Sequence, residues 1–370
     1  DVEEELIFVG LLGMIDPPRP EVIPALTKAR QAGIRTTMIT GDYPNTAEAI
    51  AREIGLMQEG HQVLTGKELD QITDEKLREE VNNTDVFARV SPEHKVRIVD
   101  AFRANNHIAA MTGDGVNDAP SIKKADIGIA MGITGTDVAK ETADMVLTDD
   151  NYASIVSAVE QGRGIYSNSR KIVYFLLSCN IAEITTIFLA IMFGWKSPLS
   201  AIQLLWLILI TDGAPALALG IEKGEPDLME RPPRDPDEPI LNSYMRKGIA
   251  IQTLAIAGVT LTAYWLGLRY WPEMAPTMAF VTLSFSELLR AFTARSERLP
   301  IFKVGIFNNK YMNLAVLSSL FLLLVVLYVP FLQPIFDTVS LGWVQWRVIL
   351  PLLVGPSIAA ELFKVLSNPR

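Results

Sequence analysis

Three oxygen-bearing side chains occur together in a glycine-containing segment, where they could bind a metal ion. Asp114, Asn117 and Asp118 follow the apolar run 107–111, which is short and bounded enough to be a buried strand. The two glycines of the segment let the backbone turn sharply. Carboxylates at such a turn suit Mg²⁺, which proteins usually hold with one or two carboxylates plus phosphate and water. The sequence therefore predicts Asp114 and Asp118 as magnesium ligands, the alternative being an ordinary surface turn rich in Gly, Asp and Asn.

Two further segments could handle a phosphoryl group. Thr40 offers a hydroxyl, and the backbone N–H groups around Gly41, which precedes Asp42, could cradle a phosphoryl oxygen. Lys95 offers a cation that could neutralise phosphate charge. Each signal has an ordinary alternative: a loop after a strand for residues 40–42, and a solvated helix charge for Lys95. Phosphoryl transfer depends mainly on positioning and on charge neutralisation, so the three segments together predict that chemistry.

The elements that must position these residues alternate between strand-like and helical patterns. We expect a doubly wound parallel sheet from this alternation. Ligands bind such sheets at the carboxyl ends of the strands, so the three segments should gather at one edge. The predicted strands are 6–14, 34–39, 86–88, 107–111, 127–131 and 145–147, and the predicted helices are 21–32, 45–54, a helix ending at 102, 137–143 and 153–163.

The second half of the chain is apolar enough to cross a membrane. Six segments approach or exceed the ~20 apolar residues that a bilayer core requires. The loops after the second and fourth segments carry most of the lysines and arginines, so the positive-inside rule places them, the soluble domain and the C-terminus in the cytoplasm. The predicted spans are 172–194, 200–220, 247–268, 274–292, 312–332 and 346–366.

Polar groups inside these spans are costly and are functional by default. Asn180 and Glu183 are three residues apart and share a helical face. Thr211 and Asp212 precede a glycine and a proline, which can open the helix and free carbonyls for a cation. Glu287 lies within the fourth span. An interhelical hydrogen bond is the alternative for Asn180 and Thr211.

Composition limits the other possibilities. A length of 370 residues exceeds one ordinary domain, and a net charge of −9 argues against a nucleic-acid partner. The single cysteine, Cys179, excludes an intrachain disulfide framework and gives no sign of a zinc cluster. The chain opens on Asp1 with neither an initiator Met nor a signal peptide, so we expect a fragment of a longer protein.

The soluble motifs, in this order, resemble one family. Residues 40–42, Lys95 and 112–118 look like the phosphorylation domain of the P-type cation-transporting ATPases, and 16–19 resembles that family's hinge to its nucleotide domain. The resemblance implies a partial α/β haloacid-dehalogenase-like (Rossmannoid) domain at 1–165, followed by an all-α bundle of six transmembrane helices at 166–370.

The family's functional residues can be carried over to matching positions. The resemblance implies that Asp114 binds Mg²⁺ and that Asn117 and Asp118 hold the metal site. It assigns the phosphoryl group and ATP to a second set, namely Asp16, Arg19, Thr40, Gly41, Asp42 and Lys95. The family's phosphorylated aspartate lies in an Asp-Lys-Thr-Gly motif, which these 370 residues do not contain. The actuator and nucleotide-binding domains are the missing partners, so we expect this chain alone not to turn over ATP.

The intramembrane residues resemble the calcium ligands of sarcoplasmic-reticulum-type pumps. Those matches are Asn180, Glu183, Thr211, Asp212 and Glu287. They imply ATP-driven transport of a cation, expected to be Ca²⁺, through an aspartyl-phosphate intermediate in a multi-pass protein of a prokaryotic plasma membrane. Transport of Mn²⁺ or Na⁺, a membrane-tethered phosphatase, and a non-catalytic truncated membrane protein are the alternatives.

Two positions depart from that pattern. Ile208 stands where calcium pumps carry an asparagine ligand, four residues before Asp212 and so on the same face of a regular helix. Arg290 follows Glu287 by three residues, and we expect the two to pair unless Arg290 extends to the membrane surface. Both departures predict a single divalent cation per cycle, held chiefly by Asn180, Glu183, Thr211 and Asp212.

Overall fold

The computed structural model describes residues 7–10 and 17–367, and these divide into two compact units. One unit extends to Glu160 and includes Asp227–Pro233; the other comprises Gln161–Pro226 and continues from Arg234. The strand expected at 6–14 lies mostly outside the described residues, and 7–10 has no regular structure. Asp16 also lies outside them.

The first unit alternates short strands with helices, as the sequence predicts. Proline or a hydroxyl residue begins several of the helices: Ser91, for example, caps α5 by accepting from the N–H of His94. The elements are α1 Val22–Gln31, β1 Met38–Thr40, α2 Pro44–Glu53, β2 Gln62–Thr65, α3 Gly66–Leu69, α4 Asp74–Glu80, β3 Thr84–Ala88, α5 Pro92–Ala104, β4 Ala110–Gly113, α6 Ala119–Lys124, β5 Ile127–Met131, α7 Asp137–Thr142 and β6 Met145–Leu147.

The strands pair in parallel, but they form two sheets of three instead of the single sheet that we expected. The orders are β1-β3-β2 and β4-β5-β6. Helix α5 contributes to both cores, because Ile98 packs with the cluster around Phe87 and Val99 packs with the cluster around Met111. Ile39 of β1 packs against both clusters. Helix α5 therefore contributes side chains to each of two neighbouring apolar clusters, one under each sheet.

A segment from the second half of the chain completes one face of the first unit. Met229 is buried with alanines of α1 and with Val156. Gly33 lies two residues after the end of α1 and has φ +71°, and a Cβ atom there would lie 2.7 Å from Pro233 Cδ. Glycine is therefore required at this position both by the left-handed backbone and by the close approach of Pro233.

The second unit is helical. Its elements are α8 Tyr152–Met192, which begins in the first unit, then α9 Ala201–Trp206, α10 Gly213–Gly220, α11 Ser243–Tyr270, α12 Ala275–Thr293, α13 Ile301–Val304, α14 Lys310–Tyr328, α15 Gln333–Phe336 and α16 Trp343–Leu366. Among the described residues five helices are long and apolar enough to span a membrane, counting α9 to α10 as one.

The fourth predicted span is present as α12, although it does not belong to those five. Its serines, threonines, Glu287 and Arg290 reduce its mean hydropathy. Fifteen of its nineteen residues are buried, and it packs against α11, α14 and α16. Its polar residues therefore face other helices, which is the usual arrangement for ionisable groups in a membrane bundle.

The helix of the second span widens where the sequence predicts an interruption. Leu207–Asp212 forms a π-helical turn between α9 and α10. Pro215 cannot donate a backbone hydrogen bond to the preceding turn. The carbonyl of Ile210 instead accepts a hydrogen bond of 2.8 Å from Ser319 Oγ of α14. Such wide turns are often found at functional sites.

Candidate functional site

The turn after β4 is organised by Asp118. Its Oδ2 accepts hydrogen bonds from the N–H groups of Asp114 and Gly115 at 3.2 and 3.1 Å, and its Oδ1 lies 2.5 Å from Lys95 Nζ. The glycine at 113 is needed here because a Cβ atom would lie 2.4 Å from Asp118 Cβ. The loop is thus closed around one carboxylate.

Asp118 is charged in this arrangement. Burial acts to raise the pKa of its carboxyl, but the hydrogen bond from Lys95 and the N–H groups of Gly115 and Asp114 outweigh it, so the pKa falls below its usual value. The Asp118 side chain is 8% exposed and that of Lys95 is 19% exposed. Both oxygens of Asp118 already have partners, which gives it a structural role in this loop.

Asp114, unlike Asp118, has an exposed side chain whose carboxylate is not used within the loop. Its carbonyl accepts from the N–H of Thr136 at 2.8 Å, which fixes the backbone, while the residue is exposed. Its carboxylate has no hydrogen-bond or ion-pair partner among the described residues, and the same is true of the exposed amide of Asn117. The oxygen chemistry of Asp114 and Asn117 therefore fits a hard cation such as Mg²⁺.

Residues 40–42 form an open turn at the carboxyl end of β1. Thr40 Oγ1 accepts from the N–H of Asp42 at 3.1 Å, and a Cβ atom added at Gly41 would meet nothing within 4 Å. The Arg89 guanidinium covers the ring of Tyr43, 3.7 Å from its centroid. An ion pair joins Lys95 to Asp118, but within 17–367 no hydrogen bond or ion pair joins residues 40–42 to that pair.

Arg19 and Asp150 form a second organised turn, and Asp150 was missed in the sequence. Arg19 Nη1 donates to the carbonyl of Asp150 at 2.8 Å. The Asp150 carboxylate accepts from three successive backbone N–H groups at 132–134 and from the Thr134 hydroxyl. Despite some burial, these bonds lower its pKa to about 2. Asp150 has a left-handed backbone conformation, with φ of 48°, and the residue pattern of the sequence does not predict it.

The intramembrane acids are buried without partners. Glu183, Asp212 and Glu287 are 4%, 1% and 0% exposed. Both carboxylate oxygens of Asp212 and Glu287, and Oε1 of Glu183, have no hydrogen-bond partner. Leaving a buried carboxylate unpaired costs several kcal/mol, at an order-of-magnitude level. A destabilising arrangement of this size favours a functional role for the three acids. A bound cation would provide the partner that their oxygens lack.

The two polar side chains near these acids differ. Thr211 is 2% exposed and its hydroxyl oxygen has no partner, so it is available as a ligand. Asn180 Nδ2 donates to the carbonyl of Leu176 at 2.7 Å. That bond orients the amide and leaves its oxygen as the group that a cation would meet.

Ile208 does not share a face with Asp212, contrary to our expectation. The two residues lie in the π turn Leu207–Asp212, where hydrogen bonds join residues five apart and the spacing of side chains differs from that of an α-helix. Leu207 is fully buried, whereas Ile208 is 46% exposed. Asp212 is 1% exposed, so Ile208 and Asp212 lie in different surroundings and the expected shared face is not present.

Arg290 neither pairs with Glu287 nor extends to the membrane surface, so both expectations were wrong. It is 2% exposed, and no ion pair joins it to Glu287 within the described residues. Its Nε donates to Ser178 Oγ at 3.3 Å, its Nη1 donates to Thr293 Oγ1 at 3.1 Å, and the guanidinium lies 4.4 Å from the ring centroid of Tyr174. Its Nη2 has no partner. Hydroxyl and aromatic neighbours hold it where a carboxylate was expected.

Cys179 is the residue that our sequence reasoning did not place in the site. Its Sγ and one carboxylate oxygen each from Asp212 and Glu287 lie within 4.8 Å of one another, and all three residues are buried. Glu183 does not join this group. Cys179 precedes Glu183 by four residues, and this spacing was the available signal that it shares a helical face with the acids.

The chain resembles known proteins in both of its halves. Residues 196–366 match the family model for the C-terminus of cation transporting ATPases, and residues 2–126 match that for haloacid dehalogenase-like hydrolases. The chain is 47% identical to calcium-transporting ATPase 1 of Bacillus cereus, over 98% of this chain and 43% of the relative. It is 40% identical to the human calcium-transporting ATPase type 2C member 1, over 99% of this chain and 40% of the relative. The chain spans about two fifths of the length of these relatives.

Proposed function

The chain belongs to the cation-transporting P-type ATPases, matching their C-terminal membrane region and part of their haloacid dehalogenase-like domain, and on that premise we propose that it serves active transport of Ca²⁺. The energy would come from ATP: the γ-phosphoryl group is transferred to an aspartate carboxylate, ADP leaves, and water later hydrolyses the acyl phosphate. The acceptor Asp-Lys-Thr-Gly motif does not occur in these 370 residues. The actuator and nucleotide-binding parts are accordingly proposed partners.

One observation carries the transport proposal. Glu183, Asp212 and Glu287 are buried with carboxylate oxygens that lack partners, and the Thr211 hydroxyl is in the same condition. Ca²⁺ takes about six to eight oxygen ligands, chiefly carboxylates, carbonyls and water. These four residues, with the Asn180 amide oxygen, supply that chemistry. A cation bound there would supply the partner that these oxygens lack.

The soluble unit fits the phosphoryl-transfer half of the cycle. Mg²⁺ bound at Asp114 would neutralise charge on the phosphoryl oxygens. Lys95 is held by Asp118 at 2.5 Å, so its ammonium stays at the loop where that charge develops. The turn at Thr40 and Gly41 offers a hydroxyl, and the space beside Gly41 is open to a phosphoryl group. We propose that these residues, Asp42 and Arg19 complete the phosphate and nucleotide side of the site.

We also propose an orientation and a membrane. The loops after the second and fourth spans carry most of the lysine and arginine, which supports a cytoplasmic soluble unit and C-terminus. Bacterial calcium-transporting ATPases of Bacillus cereus and Bacillus subtilis are 47% and 46% identical to the chain. Their likeness supports the plasma membrane of a prokaryote.

The test uses the complete pump with Glu183→Gln and Asp212→Asn, and Glu273→Gln, an exposed acid, as the matched control. The amide variants should lose Ca²⁺-dependent phosphorylation by ATP, because each gives up a charged ligand. They should keep phosphorylation from inorganic phosphate, which uses the soluble site in reverse. Competition with Mn²⁺ and Na⁺ in the parent identifies the cargo. Parental transport rates in both amide variants would contradict the proposal.

A further inference from the structure

A sulfur atom lies beside the cation-binding carboxylates. Cys179 Sγ, an oxygen of Asp212 and an oxygen of Glu287 are mutually within 4.8 Å, at a point where all three residues are buried. Cys179 is fully buried on α8, Asp212 ends the π turn, and Glu287 lies on α12. Three separate segments of the helical unit therefore converge on this point.

Packing alone does not account for this arrangement. One side of Cys179 contacts apolar residues of its cluster, among them Phe175 and Leu219, as a small hydrophobic side chain would. The other side faces Asp212 and Glu287, whose four carboxylate oxygens all lack partners. The two oxygens of Glu287 lack partners whatever the cysteine does, and this second observation indicates a ligand at this point.

The set of donor atoms differs from a calcium site. Ca²⁺ is bound by oxygen, and a thiol contributes nothing to it. Thiolate with carboxylate instead favours borderline and soft divalent ions, and Zn²⁺ commonly takes three protein ligands with a fourth position open. At Zn–S of about 2.3 Å and Zn–O of about 2.0–2.2 Å, donor atoms in a tetrahedral site lie about 3.3–3.7 Å apart. The present spacing reaches that range with a side-chain adjustment of about 1 Å.

We propose that Cys179, Asp212 and Glu287 form a binding site for a thiophilic divalent cation of the Zn²⁺ and Cd²⁺ class, overlapping the Ca²⁺ site. The proposal rests on the proposed function, because it assumes that Asp212 and Glu287 bind cations. On binding, the S–H bond of Cys179 breaks, the sulfur–metal bond forms, and the proton is released to solvent. Because the ligands are shared, Ca²⁺ and the thiophilic ion compete.

Cd²⁺ is the probe, because cadmium–thiolate bonds absorb in the ultraviolet. The detergent-solubilised complete pump is titrated with Cd²⁺ and, separately, with ⁴⁵Ca²⁺. Subtracting the spectrum of Cys179→Ser isolates the contribution of Cys179, the single cysteine of these 370 residues. We expect a cadmium–thiolate band in the parent, its loss in Cys179→Ser with at least a tenfold weaker Cd²⁺ affinity, and a Ca²⁺ affinity within about threefold of the parent.

Two further variants separate the possible failures. Asp212→Asn should weaken both ions, whereas Glu273→Gln should change neither. Equal Cd²⁺ binding in the parent and Cys179→Ser, with normal Ca²⁺ binding, overturns the thiophilic site and leaves the proposed function intact. A cadmium–thiolate band that survives in Asp212→Asn also overturns it, because the thiol would then bind without the acids. Ca²⁺ binding unaffected by Asp212→Asn overturns the proposed function itself.

Discussion

Asp118 and Asp114 lie four residues apart in one loop, and we expect their amide variants to separate stability from catalysis. Asp118 holds Lys95 and two backbone N–H groups, whereas the Asp114 carboxylate has no partner within the described residues. Asp118→Asn should therefore destabilise the first unit, and Asp114→Asn should not. In the complete pump both variants should lose phosphoenzyme formation from ATP.

The size of the effect follows from the contacts. Removing one partner of a buried ion pair costs about 3–5 kcal/mol. The Lys95 side chain is 19% exposed, so water recovers part of this, and we expect a loss of about 2–3 kcal/mol in the free energy of unfolding. For a unit of this size each kcal/mol shifts Tm by about 2–4 °C, so Tm should fall by about 4–12 °C. Asp114→Asn should stay within about 0.5 kcal/mol.

The pH dependence gives a second check on Asp118. Its pKa is lower in the folded protein than in the unfolded chain, where it is about 3.9. The stability that it contributes is therefore fully present above that unfolded value and is lost as pH falls through the folded pKa. The difference between the parent and Asp118→Asn should be constant at neutral pH and should shrink below about pH 4.

Hydrogen exchange is the appropriate measurement, because all six tryptophans lie beyond residue 190 and do not report on the first unit. Amide protection is measured by mass spectrometry in peptides covering β4 and α5, at several pH values. Protection should fall in Asp118→Asn and remain parental in Asp114→Asn. Equal loss of protection in both variants would refute the assignment of a structural role to Asp118 alone.

Two further predictions concern other charged groups. Arg290→Met should raise the Ca²⁺ affinity about tenfold, because it removes repulsion between the buried guanidinium and the cation, and a tenfold change corresponds to about 1.4 kcal/mol. Equilibrium ⁴⁵Ca²⁺ binding measures this affinity, and Arg269→Met, at an exposed position, is the control. Unchanged affinity would show that Arg290 does not act on the site. Asp150→Asn should increase amide exchange at 132–134 at neutral pH. The difference from the parent should disappear as pH falls from about 4 toward the folded pKa of about 2, because the parent carboxylate then also becomes neutral. A difference that persists at low pH would contradict this role of Asp150.

The local pattern of apolar and turn residues predicted the individual strands and helices of the first unit well. The strands β5 and β6 have the expected bounds, since each is a short apolar run between turn residues. The division into two sheets was not predictable from such runs, because pairing depends on neighbours distant in sequence. The parallel orientation was predictable, since alternating strands and helices permit it most readily.

The membrane site shows which inferences depend on geometry. The burial of Glu183, Asp212 and Glu287 follows from placing acids in apolar helices. The outward position of Ile208 does not, because a spacing of four residues was taken to be that of a regular α-helix and the segment forms a π turn. Arg290 was expected to need a carboxylate, yet the Tyr174 ring and two hydroxyls hold it. The sequence analysis considered Cys179 only as the single cysteine of the chain. Its position four residues before Glu183 was the more informative property.

The burial of Met229 in the first unit also affects how the protein is made. Asp227 follows Glu160 by 67 positions, and the residues between them include the first two spans. At ~5–20 residues per second, a ribosome needs on the order of ten seconds to add that interval. During this time Ala25 and Ala29 of α1, and Ala32 just after it, lack the Met229 side chain that buries them. The first unit is therefore complete only after the residues of the first two spans have been synthesised, so its folding ends later than the synthesis of those two helices.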